Sequence, residues 1–185
     1  MNRWVRNAEL LKLYEKKPNG RYRYIGQWLT LDYGQSTRPY LVVFAMQLLV
    51  MLLTNVGMLL TPAGPMISYR MESFNYVMLL FGVEFLSSVA CIYYTWKVLS
   101  AKLWLPEHDS KYPDWHNAFS IITAIAALAL LIAQLIYLFS AGHPDDRVWD
   151  ILLAAQALMS AVINGLSWVL QRQMKWTMRP NDAKK

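Results

Sequence analysis

Residues 117–142 read NAFSIITAIAALALLIAQLIYLFSAG. They carry no charged side chain over more than the ~20 residues that cross ~30 Å of hydrocarbon as a helix. A soluble helix of this length would show a charged face at helical spacing, and none is present. In hydrocarbon each backbone amide must be satisfied within its own segment, so the stretch is expected to be a transmembrane helix.

Working outward, three more stretches have the same character. The expected spans are about residues 40–61, 73–96, 117–142 and 149–171, the apolar run of the last beginning at Ile151. Tyr40–Thr61 and Ile151–Gln171 are uncharged, and Ser73–Trp96 holds one charged residue, Glu84. Over the whole chain charged residues make up 16%, against about 25% in a soluble domain. The fold class expected is an all-α membrane protein with four transmembrane helices in one bundle. Three segments follow: a basic N-terminal segment, residues 1–38; a transmembrane domain, residues 39–172; and a basic tail, residues 173–185. The first apolar run starts too late for a cleaved secretory signal.

Lys and Arg set the orientation. Sixteen of the 18 lie before the first span, between the second and third, or in the tail; only Arg70 and Arg147 lie in the other two connections. Both termini are therefore expected in the cytoplasm. Trp96, Trp104, Trp115 and Trp176 would mark the inner interface, and Tyr69 and Trp149 the outer one. In the first segment Trp4, Val5, Ala8 and Leu11 recur at helical spacing beside Arg3, Arg6 and Lys12, as in a short amphipathic helix lying on a membrane surface. Pro18-Asn19-Gly20 marks a turn. Arg21-Tyr22-Arg23-Tyr24 alternates like a strand, although one short strand cannot stand alone.

Each span carries a polar stripe. The stripes are Gln47, Thr54 and Asn55; Glu84, Ser87, Ser88, Cys91 and Thr95; Ser120, Thr123 and Gln134, with the small Ala127 in line; and Gln156, Ser160 and Asn164. Lipid offers these side chains no partners, so they are expected to face one another inside the bundle. Beside the last stripe, Ala157, Ala161 and Gly165 form a ridge of small residues that would let helices approach closely. An ionised Glu84 in hydrocarbon costs several kcal/mol, which favours its neutral form. By depth along the helices Ser160 is its nearest polar neighbour, with Asn164 and Gln47 within about one turn.

No catalytic or cofactor pattern is present. A single cysteine, Cys91, excludes an internal disulfide and a multi-cysteine metal site. Glu107, His108, Asp109, Asp114 and His116 share one connection, but their spacing matches no metal motif and reads as a solvated loop. Asp114 could cap the third helix, and Asp145 or Asp146 the fourth. Phosphate-binding glycine loops, hydrolase elbows and nucleic-acid signatures are absent. The expectation is a small polytopic, non-enzymatic subunit, scaffold or accessory factor of a membrane complex, in the bacterial cytoplasmic membrane. Its partners would be the bilayer, with anionic headgroups at the basic N-terminal segment, and another membrane protein or a second copy, with no nucleic acid and no cofactor. The alternative is a small transporter or channel subunit in which Glu84 binds a proton or cation.

Overall fold

The structure is a computed structural model that describes residues 12–17, 20–32, 35–60, 75–140 and 147–180. Four long helices dominate it: α1 (Arg38–Leu60), α2 (Asn75–Ser100), α3 (Tyr112–Ser140) and α4 (Arg147–Gln173). All four are long and apolar enough to cross a membrane. Consecutive helices pack against each other, α1 also packs on α4, and α3 makes the most extensive contacts with its two neighbours. The result is a closed ring of four helices. Leu53, Leu86, Ile125, Phe139 and Val162 point outward and are exposed, as expected where the surrounding solvent is lipid rather than water.

Two helices begin on a proline signal. Pro39 and Pro113 each sit second in their helix, where the missing N–H would lack an intrahelical partner anyway. α3 thus starts earlier than its apolar run, which begins at Asn117. Asp114 lies inside its first turn, where it favours the helix dipole, rather than at the cap. At the end of α2, Lys102 and Leu103 take left-handed φ values of 50° and 62°. That conformation usually falls to glycine. Here it brings the Leu103 N–H onto the Val98 carbonyl at 3.2 Å and buries the Leu103 side chain completely.

The bundle is not purely helical. Five short strands gather at one end of it. β1 (Tyr14–Lys16) and β2 (Tyr22–Tyr24) form an antiparallel hairpin, with Gly20 in the turn at φ 78°. β3 (Trp28–Leu31) pairs on one side with β4 (Leu105–Pro106) and on the other with β5 (Trp176–Arg179), both antiparallel. The lone strand read at Arg21–Tyr24 therefore has a partner that sequence did not suggest. The N-terminal segment, the connection between α2 and α3, and the tail meet in one structure at one end of the bundle. Those three segments hold most of the Lys and Arg.

This cap has its own core. Leu29, Leu31, Leu103, Leu105 and Met174 pack on Tyr40 and Phe44 of α1 and Val98 of α2. Gln35 splices the pairing beyond β3: its side-chain amide donates to the Gln173 carbonyl at 2.9 Å, and its oxygen accepts the Lys175 N–H at 3.0 Å. Arg179 reaches back to the Leu31 carbonyl at 2.8 Å. The surface helix expected at Trp4–Leu11, and the connections with Tyr69, Asp145 and Asp146, lie outside the described residues, as does the Trp149 side chain.

Candidate functional site

The polar stripes of all four helices meet on the bundle axis. Gln47, Asn55, Glu84, Ser88, Gln134, Ser160 and Asn164 are buried, and Gln156 is partly so. Gln47 on α1 is the hub. Its Nε2 donates to Asn164 Oδ1 at 2.7 Å, Ser120 Oγ at 3.1 Å and Cys91 Sγ at 3.3 Å. Its Oε1 accepts the Ser167 hydroxyl at 2.8 Å and faces His116 Nε2 at 3.0 Å. One amide thus ties α1 to α2, α3 and α4.

Glu84, 3% exposed, stands roughly a third of the way along α2. The Ser160 hydroxyl donates to its Oε1 at 2.8 Å. Asn164 Nδ2 in turn donates to the Ser160 backbone carbonyl at 2.8 Å and lies 3.4 Å from Ser160 Oγ. Nearer the end of the bundle away from the strands, Asn55 Nδ2 bonds Ser88 Oγ and the Met51 carbonyl, and Gln156 donates to the Thr54 carbonyl at 3.3 Å. Gln134 is buried on α3.

The direction of this chain is determined by one fixed group. A backbone carbonyl can only accept, so the atom of Asn164 that faces the Ser160 carbonyl must be its NH₂. Asn164 Oδ1 therefore faces Gln47, and Gln47 must present its own NH₂ there. Gln47 Oε1 then faces His116, and an amide oxygen can only accept, so His116 Nε2 carries a hydrogen. Thr95 is consistent with this. Its hydroxyl donates to the Cys91 carbonyl at 2.7 Å, leaving its oxygen to accept from His116 Nε2 at 2.9 Å. Every donor along the path from His116 through Gln47, Asn164 and Ser160 points toward Glu84.

His116 was read from sequence as part of a solvated loop. In the structure it lies one turn into α3, is 1% exposed, and packs edge-on against Phe44 with ring centroids 4.7 Å apart. Ser167 and Gln171, which extend the α4 stripe by one and two turns, were also missed. Their signal was present: His116 precedes Ser120 by four residues, and Ser167 and Gln171 each follow a stripe member by seven. The remaining members of the loop constellation do not converge on a metal geometry: among the described residues no group of three potential ligands forms.

The small-residue ridge is only partly used inside the chain. Ala157 is buried against Leu130 and Ala133 of α3. At Gly165, however, an added Cβ would meet open space. Outside its own turn of helix, no described residue comes within 4 Å of that position. The aromatic residues at the capped end do cluster. Tyr94 stacks near Trp115 and Phe119, the Lys97 ammonium lies 5.6 Å from the Tyr93 and Trp96 ring centres, and the Arg172 guanidinium sits 4.3 Å from the Trp168 ring centre. Cations over aromatic faces at a helix end suit a membrane–water boundary.

No protein-family model, curated protein or solved structure matches the chain. The residues themselves carry the functional argument.

Proposed function

We propose that the protein is a non-enzymatic integral membrane subunit, a scaffold or accessory part of a membrane complex. In this reading both termini are cytoplasmic, in a bacterial cytoplasmic membrane, with the strand-capped end facing the cytosol. The concentration of Lys and Arg in the three segments that build the cap supports the orientation.

The observation that carries the scaffold reading is the fixed polarity of the axial chain. Four helices are keyed to one another by amides whose donors and acceptors cannot be exchanged without setting Asn164 Oδ1 against the Ser160 carbonyl. A proton crossing such a chain would need an amide to pass through its high-energy imidic form. The arrangement suits a rigid, uniquely packed unit presented to a partner better than a carrier that must open.

A second reading keeps Glu84 as a proton- or cation-binding carboxylate. Its support is the burial of an acid at a depth where ionisable groups are costly and usually functional.

Glu84→Gln separates the two. On the scaffold reading the amide still accepts from Ser160, so stability in detergent should change by under about 0.5 kcal/mol. A stoichiometric membrane partner should co-purify with both forms after cross-linking in native membranes. Ion or solute flux in reconstituted vesicles that depends on a pH gradient and disappears in Glu84→Gln would overturn the scaffold reading.

A further inference from the structure

The hairpin formed by β1 and β2 is the most cationic part of the described chain. Residues 12–25 hold Lys12, Lys16, Lys17, Arg21 and Arg23 against one acid, Glu15, and these five cations are all exposed. Two apolar side chains beside them are also exposed, Tyr22 at 64% and Ile25 at 46%. An isolated two-stranded hairpin is marginal in water, and this one is tied down. The Ile25 N–H donates to the Leu13 carbonyl at 2.8 Å. Tyr24 packs edge-on against Tyr14 and Trp28, with ring centroids 5.3 and 5.0 Å away, and lies 5.8 Å from the His108 ring. Its hydroxyl donates to the Gln27 carbonyl and accepts the Glu107 N–H, each at 2.9 Å. Burial pushes the Tyr24 phenol above its usual range, opposed by the Glu107 N–H bond, so the hydroxyl stays a neutral donor at physiological pH.

Glu107 lies just before α3, and the exposed Trp115 and Trp96 mark the neighbouring helix ends. The hairpin is therefore held beside the aromatic girdle of the bundle. We infer that the β1–β2 hairpin is a built-in site for anionic phospholipid headgroups of the leaflet on that side. Its cations engage phosphates, and Tyr22 and Ile25 dip into the interface. This goes beyond a general attraction of the N-terminal segment for lipid: it names a folded element outside the expected surface helix. It rests on the bundle's being membrane-embedded and is independent of the scaffold role, so its failure would leave the co-purification result untouched.

The test uses the full chain with Tyr22→Cys in nanodiscs of phosphatidylcholine alone, or with about a third phosphatidylglycerol. The readout is the rate of maleimide labelling. Cys91 is fully buried, and the unsubstituted chain supplies the blank. Labelling is expected to slow on the order of tenfold on the anionic discs at low salt. The difference should vanish near ~1 M salt, where the screening length falls to ~3 Å. It should also vanish when Lys16, Lys17, Arg21 and Arg23 are all replaced by Gln. Ile25→Cys repeats the measurement should Tyr22→Cys disturb the turn. Equal rates on the two lipids would overturn the inference, as would a difference that survives the four substitutions. So would protection that appears only when a soluble protein is added.

Discussion

The bundle axis and the strand cap both join segments far apart in sequence, but they do so with different groups. On the axis, α1 to α4 have already satisfied their backbones, so the joining is left to side chains: the glutamines Gln47 and Gln156, the asparagines Asn55 and Asn164, His116, Glu84 and several hydroxyls. In the cap the joining is done by backbone, as β3 accepts β4 and β5 on its two edges. The contrast follows from the solvent. Hydrocarbon forbids an open strand edge and makes each stray polar side chain seek a partner. At the water boundary short strands are tolerated, and an apolar patch such as Leu29, Leu31 and Leu105 is enough to hold them.

If that contrast is right, the largest effect should come from the hub of the axis. Gln47→Leu removes the partner of Asn164 Oδ1 and of the Ser167 hydroxyl in a dry interior, leaves His116 only Thr95, and should destabilise the folded protein by about 3 kcal/mol. The measurement is reversible unfolding in detergent or bicelles. A loss below about 1 kcal/mol would mean that the axis contributes no more than an ordinary pair of membrane hydrogen bonds.

A sharper comparison lies one turn apart on α3. Ser120 Oγ accepts from Gln47, whereas Thr123 Oγ1 is fully buried with no hydrogen-bond partner among the described residues. Ser120→Ala should cost about 1 kcal/mol, and Thr123→Val, which swaps the unpaired hydroxyl for a methyl, should be neutral or stabilise by up to about 1 kcal/mol. The opposite signs would be read in the same unfolding assay; equal losses would break the claim that pairing, rather than volume, sets the energetics there.

The smallest effect belongs to the cap. Lys102 is exposed with a left-handed φ of 50°, a geometry that costs an L-residue roughly 1 kcal/mol. Lys102→Gly should recover up to that amount, minus the extra freedom glycine gains when unfolded. A shift in melting temperature measured beside Leu103→Gly, which removes a buried side chain and should destabilise, separates backbone strain from packing.

The axis was largely legible in the sequence, and the cap was not. Gln47, Asn55, Glu84, Gln134, Ser160 and Asn164 stood out because amides and acids are rare in apolar runs. Counting rise per residue was enough to set Ser160 beside Glu84. The same reasoning stopped at the span edges: His116 sits among Asp114, Trp115 and Asn117, where polar residues are unremarkable, so its place on the stripe was hidden by its surroundings. The strands failed for another reason. Leu105–Pro106 and Trp176–Arg179 are too short to show alternation, and their pairing depends on helices first bringing both beside Trp28–Leu31. Gly165 is a third case: its spacing permits close approach within or between chains, and no described residue of this chain uses it.

The join between β3 and β5 has a consequence for how the chain is made. Arg179 meets Leu31 across 148 residues. β3 must therefore wait, with Leu29 and Leu31 incompletely covered, until α4 has been made and its trailing segment released. Completion of the cap thus reports that all four helices have been threaded, and a chain stalled before Trp176 would carry an open strand edge available to chaperones or quality-control proteases.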